Sequence, residues 1–198
     1  MNLALNNLLR GEINIQAKDR IIVALDVSDI KKAGKLVEKL LPHVGMFKIG
    51  LEFVFHSFLV LLASKSNDSA YALRDRRQFF RIFDEVSKNK HCIFMDTKFH
   101  DIPNTIVAVA EQISQFGIKM FNVHCLSGSK AMFDTKAKID QMVNEGVIKA
   151  SNRPLVIGVT MLTSLSYIDL VEMGIYDEAN ISDTEELQLM EKRCIESF

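Results

Sequence analysis

The sequence lacks tryptophan and has only three prolines, nine glycines and three cysteines among its 198 residues. The cysteines, Cys92, Cys125 and Cys194, are odd in number and form no C-x-x-C pair, so neither a disulfide framework nor a zinc knuckle is indicated. We therefore expect a reducing, cytoplasmic location. An excess of charge of one sign is also lacking, because 24 Lys and Arg residues balance 25 Asp and Glu residues. Nucleic acid is therefore not expected as a partner.

The sequence also lacks an apolar run long enough to cross a membrane. The longest such stretch, Leu51–Ala63, is interrupted by Glu52 and His56 and is shorter than the roughly 20 apolar residues that a bilayer requires. We predict a buried helix there and no membrane partner. Residues 1–19 carry no cationic segment before an apolar core, so they are interpreted as an N-terminal extension rather than a secretion signal.

Five short, almost continuously apolar stretches alternate with helical patterns along the rest of the chain. Continuous rather than alternating apolar character is typical of parallel strands that are covered on both faces. An order of strand, helix, strand repeated in this way predicts a parallel α/β sheet. The predicted strands are residues 21–25, 44–49, 92–95, 119–123 and 155–160.

Polar side chains follow nearly every predicted strand at its carboxyl end. In an open doubly wound sheet the ligand occupies one crevice, whereas in a (β/α)₈ barrel the carboxyl ends of many strands surround one pocket. The sequence has no G-x-G-x-x-G or P-loop pattern after the first strand, so the barrel is favoured. The polar residues at these ends are Asp26, Lys48, Asp96, Lys98, His124, Thr160 and Thr163.

The length of the chain is short for that fold. A (β/α)₈ barrel typically needs about 250 residues, and only about five βα units can be recognised here. We therefore expect a TIM-barrel-type domain over residues 20–198 that is truncated after about five units. The stretch at about residues 64–90 is polar and charged, and it is interpreted as an insertion into that domain.

The most specific local pattern is Asp96-x-Lys98-x-x-Asp101. Asp96 and Lys98 are two positions apart at the end of the third predicted strand, and extended backbone there would place both side chains on one face. The spacing alone is compatible with a structural ion-pair network or with a site. Asp26 and Lys48, which arrive from neighbouring strands, favour a site.

Five motifs in this order resemble orotidine 5′-phosphate decarboxylases. They are VALD (23–26), FKIG (47–50), MDTKFHDIPNT (95–105), NVHC (122–125) and VTMLTSL (159–165). The resemblance implies decarboxylation of orotidine 5′-phosphate, a small molecule, to UMP and CO₂ in pyrimidine biosynthesis, without metal or organic cofactor. It also implies that Lys98 is the proton donor, that Asp96 and Asp101 complete its charged array, and that Asp26 and Lys48 bind the ribose.

The same resemblance implies a homodimer with shared active sites. Asp101 and Thr105 are expected to reach the active site of the partner subunit, and Thr163 is expected to bind the pyrimidine ring. His124 remains open between a site residue and a structural histidine.

Two alternatives remain open. Magnesium-dependent sugar-phosphate decarboxylases and aldolases of the same suprafamily share the Asp-x-Lys-x-x-Asp pattern. The family's phosphate grip comes from loops after the last two strands, and no such segment is recognised before Phe198. We therefore also consider a catalytically inactive remnant, and we expect weak activity from the isolated chain.

Overall fold

The computed structural model describes residues 16–27, 29–63, 77, 80–82, 84–86 and 92–175. Most of the predicted N-terminal extension, most of the predicted insertion at 64–90 and residues 176–198 lie outside the described residues. The described chain falls into two compact units, divided in the sequence between Gly158 and Val159. Among the described residues, the first unit contains the sheet as far as Gly158 and the four helices bounded below, and residues 77, 80–82 and 84–86 are also helical.

Strands and helices alternate along the first unit, as the sequence predicts. Among the described residues, one short 3₁₀ turn, Ala17–Arg20, precedes the first strand, and two others, Cys125–Ser127 and Ala150–Asn152, lie in connections. In chain order the elements are β1 (Ile22–Ala24), α1 (Ile30–Leu40), β2 (Met46–Gly50), α2 (Leu51–Ala63), β3 (Cys92–Phe99), α3 (Pro103–Gln115), β4 (Met120–His124), α4 (Ser129–Asn144) and β5 (Leu155–Val159). The second unit contains one short helix, α5 (Tyr167–Glu172).

The five strands form one sheet in the order β1-β2-β3-β4-β5. The pairs β1–β2, β2–β3 and β3–β4 are parallel. Each strand therefore lies beside the next one in the sequence, whereas a doubly wound sheet reverses its strand order at a switch point. Sequential parallel order is the topology of a (β/α)₈ barrel, so the structure favours the barrel over the doubly wound sheet.

Local sequence signals explain where the helices begin and end. Asp29 precedes α1, and its Oδ1 accepts hydrogen bonds from the backbone N–H groups of Lys31 and Lys32, as expected for an N-cap. Pro103 stands in the first turn of α3, where its missing N–H costs nothing. Gly117 follows the end of α3 with φ +76°, a conformation that glycine adopts without steric cost.

Two apolar clusters lie side by side along the sheet. The first joins β1, β2 and their helices and includes the fully buried Leu25, Phe47 and Phe53. The second joins β3, β4, α3 and α4 and includes Phe121 and Ile139. Ile93 of β3 packs against both clusters. The sheet is therefore supported on either side of the β2–β3 junction.

The prediction that Leu51–Ala63 is a helix is confirmed, but the prediction that this helix is buried is wrong. Phe53 and Ser57 of α2 are buried, whereas residues on its other sides are about half exposed. A helix that packs on a sheet along one stripe cannot bury apolar residues that surround its whole circumference. The exposed apolar residues of α2 are Leu51, Phe55, Phe58, Leu59 and Leu62. Among the described residues, no helix has the length and apolar character needed to span a bilayer.

Phe121 is the central aromatic residue of the second cluster. It is fully buried, and its ring meets the ring of Phe99 edge to face at 6.3 Å. We expect Phe121→Ala to lower the free energy of unfolding by about 3–5 kcal/mol, because it removes buried surface and leaves a cavity. The matched control is Phe133→Ala, at a side chain that is 71% exposed. Urea unfolding should show only about 0.5 kcal/mol for the control, and equal losses in the two variants would contradict this core.

Candidate active site

The charged residues of the candidate site meet at the carboxyl ends of three adjacent strands. Asp26 follows β1, Lys48 lies in β2, and Asp96 and Lys98 lie in β3. The sheet register places Lys48 beside Ala24 and Asp96 beside Gly50. The parallel strands therefore bring these residues, which are distant in the sequence, to one edge of the sheet.

These four side chains form a continuous chain of alternating charges. Lys48 Nζ lies 3.4 Å from Asp26 Oδ2 and 2.8 Å from Asp96 Oδ2. Lys98 Nζ lies 2.7 Å from the other oxygen of Asp96, Oδ1. Four of the residues that the sequence predicts for the site are thus in contact, with Asp96 between the two ammonium groups.

A glycine makes room for the outer end of this chain. A Cβ at Gly50 would lie 3.1 Å from Asp26 Oδ1, which is a tight contact for a carbon atom. Gly50 ends β2 directly after the segment that carries Lys48. A side chain at this position would crowd the Asp26 carboxylate that pairs with Lys48.

Asp96 is the buried centre of the site. Its side chain is only 9% exposed, and it accepts hydrogen bonds from three nitrogen donors: Lys48 Nζ, Lys98 Nζ and Asn122 Nδ2. Burial by itself raises the pKa of Asp96, but these donors together lower that pKa from 3.8 to about 2. The carboxylate is therefore ionised throughout the physiological pH range.

Lys48 responds to the same contact from the other side. Burial by itself lowers the pKa of Lys48, but the carboxylates of Asp96 and Asp26 outweigh burial and raise that pKa above its ordinary value. Lys48 is thus a permanent cation that faces two anions. Its side chain is 25% exposed, which places it between the buried Asp96 and the 56% exposed Asp26.

Lys98 is held by an irregular backbone rather than by regular strand geometry. Met95 pairs with Phe121 and Phe99 pairs with Val123, so a four-residue step on β3 faces a two-residue step on β4. Lys98 has φ 47° and is the one non-glycine residue with positive φ in the described part of the chain. Such bulges and rare backbone conformations are concentrated at functional sites.

This bulge corrects two predictions. The predicted third strand, 92–95, continues to Phe99 because pairing with β4 resumes beyond the bulge. Asp96 and Lys98 do meet, but simple alternation along a strand is the wrong reason, since the backbone at Lys98 has left the extended conformation. The half-exposed side chain of Lys98 extends from the bulged segment, and its Nζ contacts Asp96 Oδ1.

Asn122 is a site residue that the sequence analysis missed. It lies in β4, is only 3% exposed, and contacts both Asp96 and the backbone N–H of Lys98. The signal was present in the NVHC motif, because a buried strand residue with a side-chain amide requires polar partners. Its partners could not be read from the sequence, since they depend on the register between β3 and β4.

His124 ends β4 as a buried, neutral histidine. Its Nδ1 accepts a hydrogen bond from the Leu126 N–H at 3.3 Å, and its ring stacks on that of His100 at 5.2 Å. Burial and, less strongly, the neighbouring His100 lower the pKa of His124. Among the described residues these contacts connect His124 to its own loop and to His100, which favours the structural interpretation.

Two other predicted site residues of the first unit, Asp101 and Thr105, form no ion pair with the charged chain among the described contacts, and Thr163 lies in the second unit. Asp101 is exposed, and its Oδ1 accepts the N–H of Ile102 at 2.6 Å. Thr105 is exposed in the first turn of α3. Thr163 is exposed in a turn of the second unit. Within the described residues, no group of three or more His, Cys, Asp or Glu side chains is placed to hold a metal ion.

Comparison with known proteins identifies a matching family model and similar curated proteins. The family model "Orotidine 5′-phosphate decarboxylase / HUMPS family" matches residues 19–193. An orotidine 5′-phosphate decarboxylase of Moorella thermoacetica is 37% identical over 171 residues, which are 86% of this chain and 58% of that protein. One of Syntrophomonas wolfei is 35% identical over 158 residues, which are 80% of this chain and 56% of that protein. The chain thus spans somewhat more than half the length of these relatives.

Solved structures are similar in fold. Orotidine 5′-phosphate decarboxylase of Lactobacillus acidophilus superimposes with a TM-score of 0.54 at 24% identity, covering 89% of this chain and 66% of that one. An uncharacterised conserved protein of Geobacillus kaustophilus gives a TM-score of 0.55 at 22% identity, covering 89% and 68%. At these identities the likeness concerns the fold, and it confirms the predicted TIM-barrel type.

The low pKa of Asp96 predicts a specific acid sensitivity. A carboxyl whose folded pKa lies below its unfolded value stabilises the fold above the unfolded pKa and loses this contribution as pH falls through the folded pKa. For a fall from 3.8 to about 2, that contribution is about 2 kcal/mol, lost between about pH 5 and pH 1. Urea unfolding of the wild type and of Asp96→Asn at several pH values should show a smaller acid dependence in the variant.

Asp140→Asn is the matched control for this measurement. Asp140 forms ion pairs with Lys136 and Arg153 but is 38% exposed, so solvent screens its contribution. Its replacement should change the acid dependence less than that of Asp96. The interpretation of Asp96 is wrong if Asp96→Asn unfolds with the same pH dependence as the wild type.

Proposed function

Since the chain belongs to the orotidine 5′-phosphate decarboxylase / HUMPS family, we propose that it decarboxylates orotidine 5′-phosphate to UMP and CO₂. The reaction belongs to pyrimidine biosynthesis. Support comes from the relatives named orotidine 5′-phosphate decarboxylase, at up to 37% identity. The observation that carries the proposal is the contact of Lys98 Nζ with the buried Asp96, at 2.7 Å.

The reaction requires a fixed cation next to the reacting carbon. When the bond between C6 of the pyrimidine and its carboxylate breaks, the electron pair remains on C6 and CO₂ departs. The ammonium of Lys98 first stabilises this negative charge and then transfers a proton to C6, which gives the C6–H bond of UMP. The side chain of Lys98 is 41% exposed and that of Asp96 is 9% exposed, so a substrate can reach the cation before it reaches the carboxylate.

Asp96 has two roles in this proposal. It holds Lys98 in place, and it repels the substrate carboxylate until CO₂ leaves. Two unit charges about 4 Å apart repel by about 4 kcal/mol at an effective dielectric of about 20. The largest enzymatic rate enhancements require about 20 kcal/mol. Most of the acceleration must therefore come from charges that are already oriented before the substrate binds, as in the Asp26–Lys48–Asp96–Lys98 chain.

The remaining assignments follow the family pattern and belong to the same proposal. Asp26 and Lys48 would contact the ribose hydroxyl groups, and Thr163 would contact the pyrimidine ring. Asp101 and Thr105 would complete the active site of a partner subunit in a homodimer. The exposure of both side chains, on a segment next to the charged chain, supports that role.

Replacement of Lys98 tests the assignment of the proton donor. We expect Lys98→Ala to lower kcat/KM for orotidine 5′-phosphate by about 1,000-fold or more, because the general acid is lost. The loss of orotidylate ultraviolet absorbance measures the rate. Lys130→Ala is the control, since Lys130 is 75% exposed on α4 and is paired with Asp134. Turnover by Lys98→Ala at the wild-type rate would refute the assignment.

Chelation separates this proposal from a magnesium-dependent sugar-phosphate lyase of the same suprafamily. Both oxygens of Asp96 accept hydrogen bonds from nitrogen donors, which supports a metal-independent use of this carboxylate. We expect orotidylate consumption to continue unchanged in excess EDTA. Activity that disappears with EDTA and returns with Mg²⁺ would favour the metal-dependent alternative.

A further inference from the structure

Asn122 is a buried polar residue in the middle of β4, between two apolar residues. It is 3% exposed, and its neighbours in β4, Phe121 and Val123, are fully buried. An amide without hydrogen-bond partners is costly in such surroundings. The structure gives this amide two partners, and both belong to the charged site.

The two hydrogen bonds of Asn122 join the two sides of the β3 bulge. Its Nδ2 donates to Asp96 Oδ1 at 2.5 Å, and its Oδ1 accepts the backbone N–H of Lys98 at 2.7 Å. A carboxamide carries both a donor and an acceptor, which a carboxylate or an aliphatic side chain of similar size does not. The side chain therefore fixes a carboxylate and a backbone segment at the same time.

The backbone at Lys98 requires such support. Its φ of 47° is unfavourable for a residue with a side chain, and the register shift between Met95 and Phe99 removes regular pairing with β4. A backbone N–H away from solvent needs an acceptor. The Lys98 N–H donates to the side-chain oxygen of Asn122, Oδ1, rather than to a backbone carbonyl of β4. The Asp96 oxygen that receives Asn122 Nδ2 is also the one that receives Lys98 Nζ.

We propose that Asn122 is a positioning residue. Its two hydrogen bonds stabilise the bulged backbone of β3 and thereby position the Lys98 ammonium beside Asp96. The consequence for catalysis rests on the proposed decarboxylation, whereas the consequence for geometry does not. Asn122 acts through Asp96 and Lys98, and no contact with substrate is required of it.

Three variants of the chain separate positioning from general stability. Asn122→Leu removes both hydrogen bonds at similar size. Asn122→Asp keeps an acceptor for the Lys98 N–H but replaces the amide donor to Asp96 with a carboxyl that competes with Asp96 for a proton. Thr135→Val is the control, because it removes a fully buried hydroxyl that bonds the Ala131 carbonyl within α4.

Two readouts by NMR do not depend on activity. In Asn122→Leu we expect faster amide exchange at Lys98 and titration of the Asp96 carboxyl at higher pH, because each group has lost a partner. In Asn122→Asp the Lys98 amide should stay protected, while Asp96 and the new carboxyl should titrate as a coupled pair at higher pH because they repel each other. Thr135→Val should leave both signals as in the wild type. If Asn122→Leu does not fold, Asn122→Asp decides the question alone.

Kinetics supply the third readout. Misplacement of a catalytic group by about 1 Å can cost about 100-fold in rate, so we expect kcat to fall by about that factor in both Asn122 variants, with a smaller change in KM. A wild-type chain without decarboxylase activity would refute the proposed function, and the NMR signals would still decide the positioning role. The positioning role would be overturned if Asp96 titrated as in the wild type in both Asn122 variants. It would also be overturned if Thr135→Val lost as much kcat as the Asn122 variants do.

Discussion

Burial of one negative charge organises the structure around the candidate site. A carboxylate that is 9% exposed is stable only if other groups replace its hydration. Asp96 accepts hydrogen bonds from Lys48, Lys98 and Asn122. These bonds lower its pKa to about 2, although burial by itself raises that pKa. The three partners come from three adjacent strands, β2, β3 and β4, one from each strand. The requirement to satisfy one carboxylate therefore fixes the relative placement of β2, β3 and β4 at their carboxyl ends.

The same contacts cross the junction between the two apolar clusters. Lys48 belongs to β2, on the side of the first cluster, whereas Lys98 and Asn122 belong to the side of the second. Apolar packing brings the strands together without specifying charge geometry, because the hydrophobic effect is not directional. Hydrogen bonds to Asp96 add that geometry. The cores supply the scaffold, and the ion pairs set the positions of the cations to within hydrogen-bond distance.

Strain at Lys98 is the local cost of this arrangement. A regular strand would alternate its side chains and pair every N–H with the next strand, but the bulge gives up both features. In return, the Lys98 amine stays half exposed while it contacts a buried carboxylate. The cation is therefore accessible from solvent and is already oriented by its ion pair with Asp96.

The sequence by itself determined the alternation of strands and helices, the barrel type and the charged residues Asp26, Lys48, Asp96 and Lys98, because apolar continuity and strand-end polarity are local properties. It did not determine the half-exposed face of α2, the bulge at Lys98 or the role of Asn122. Exposure of α2 depends on which stripe meets the sheet, and the contacts of Asn122 depend on the register between β3 and β4. These are relations between segments distant in the chain, so only the tertiary structure decides them.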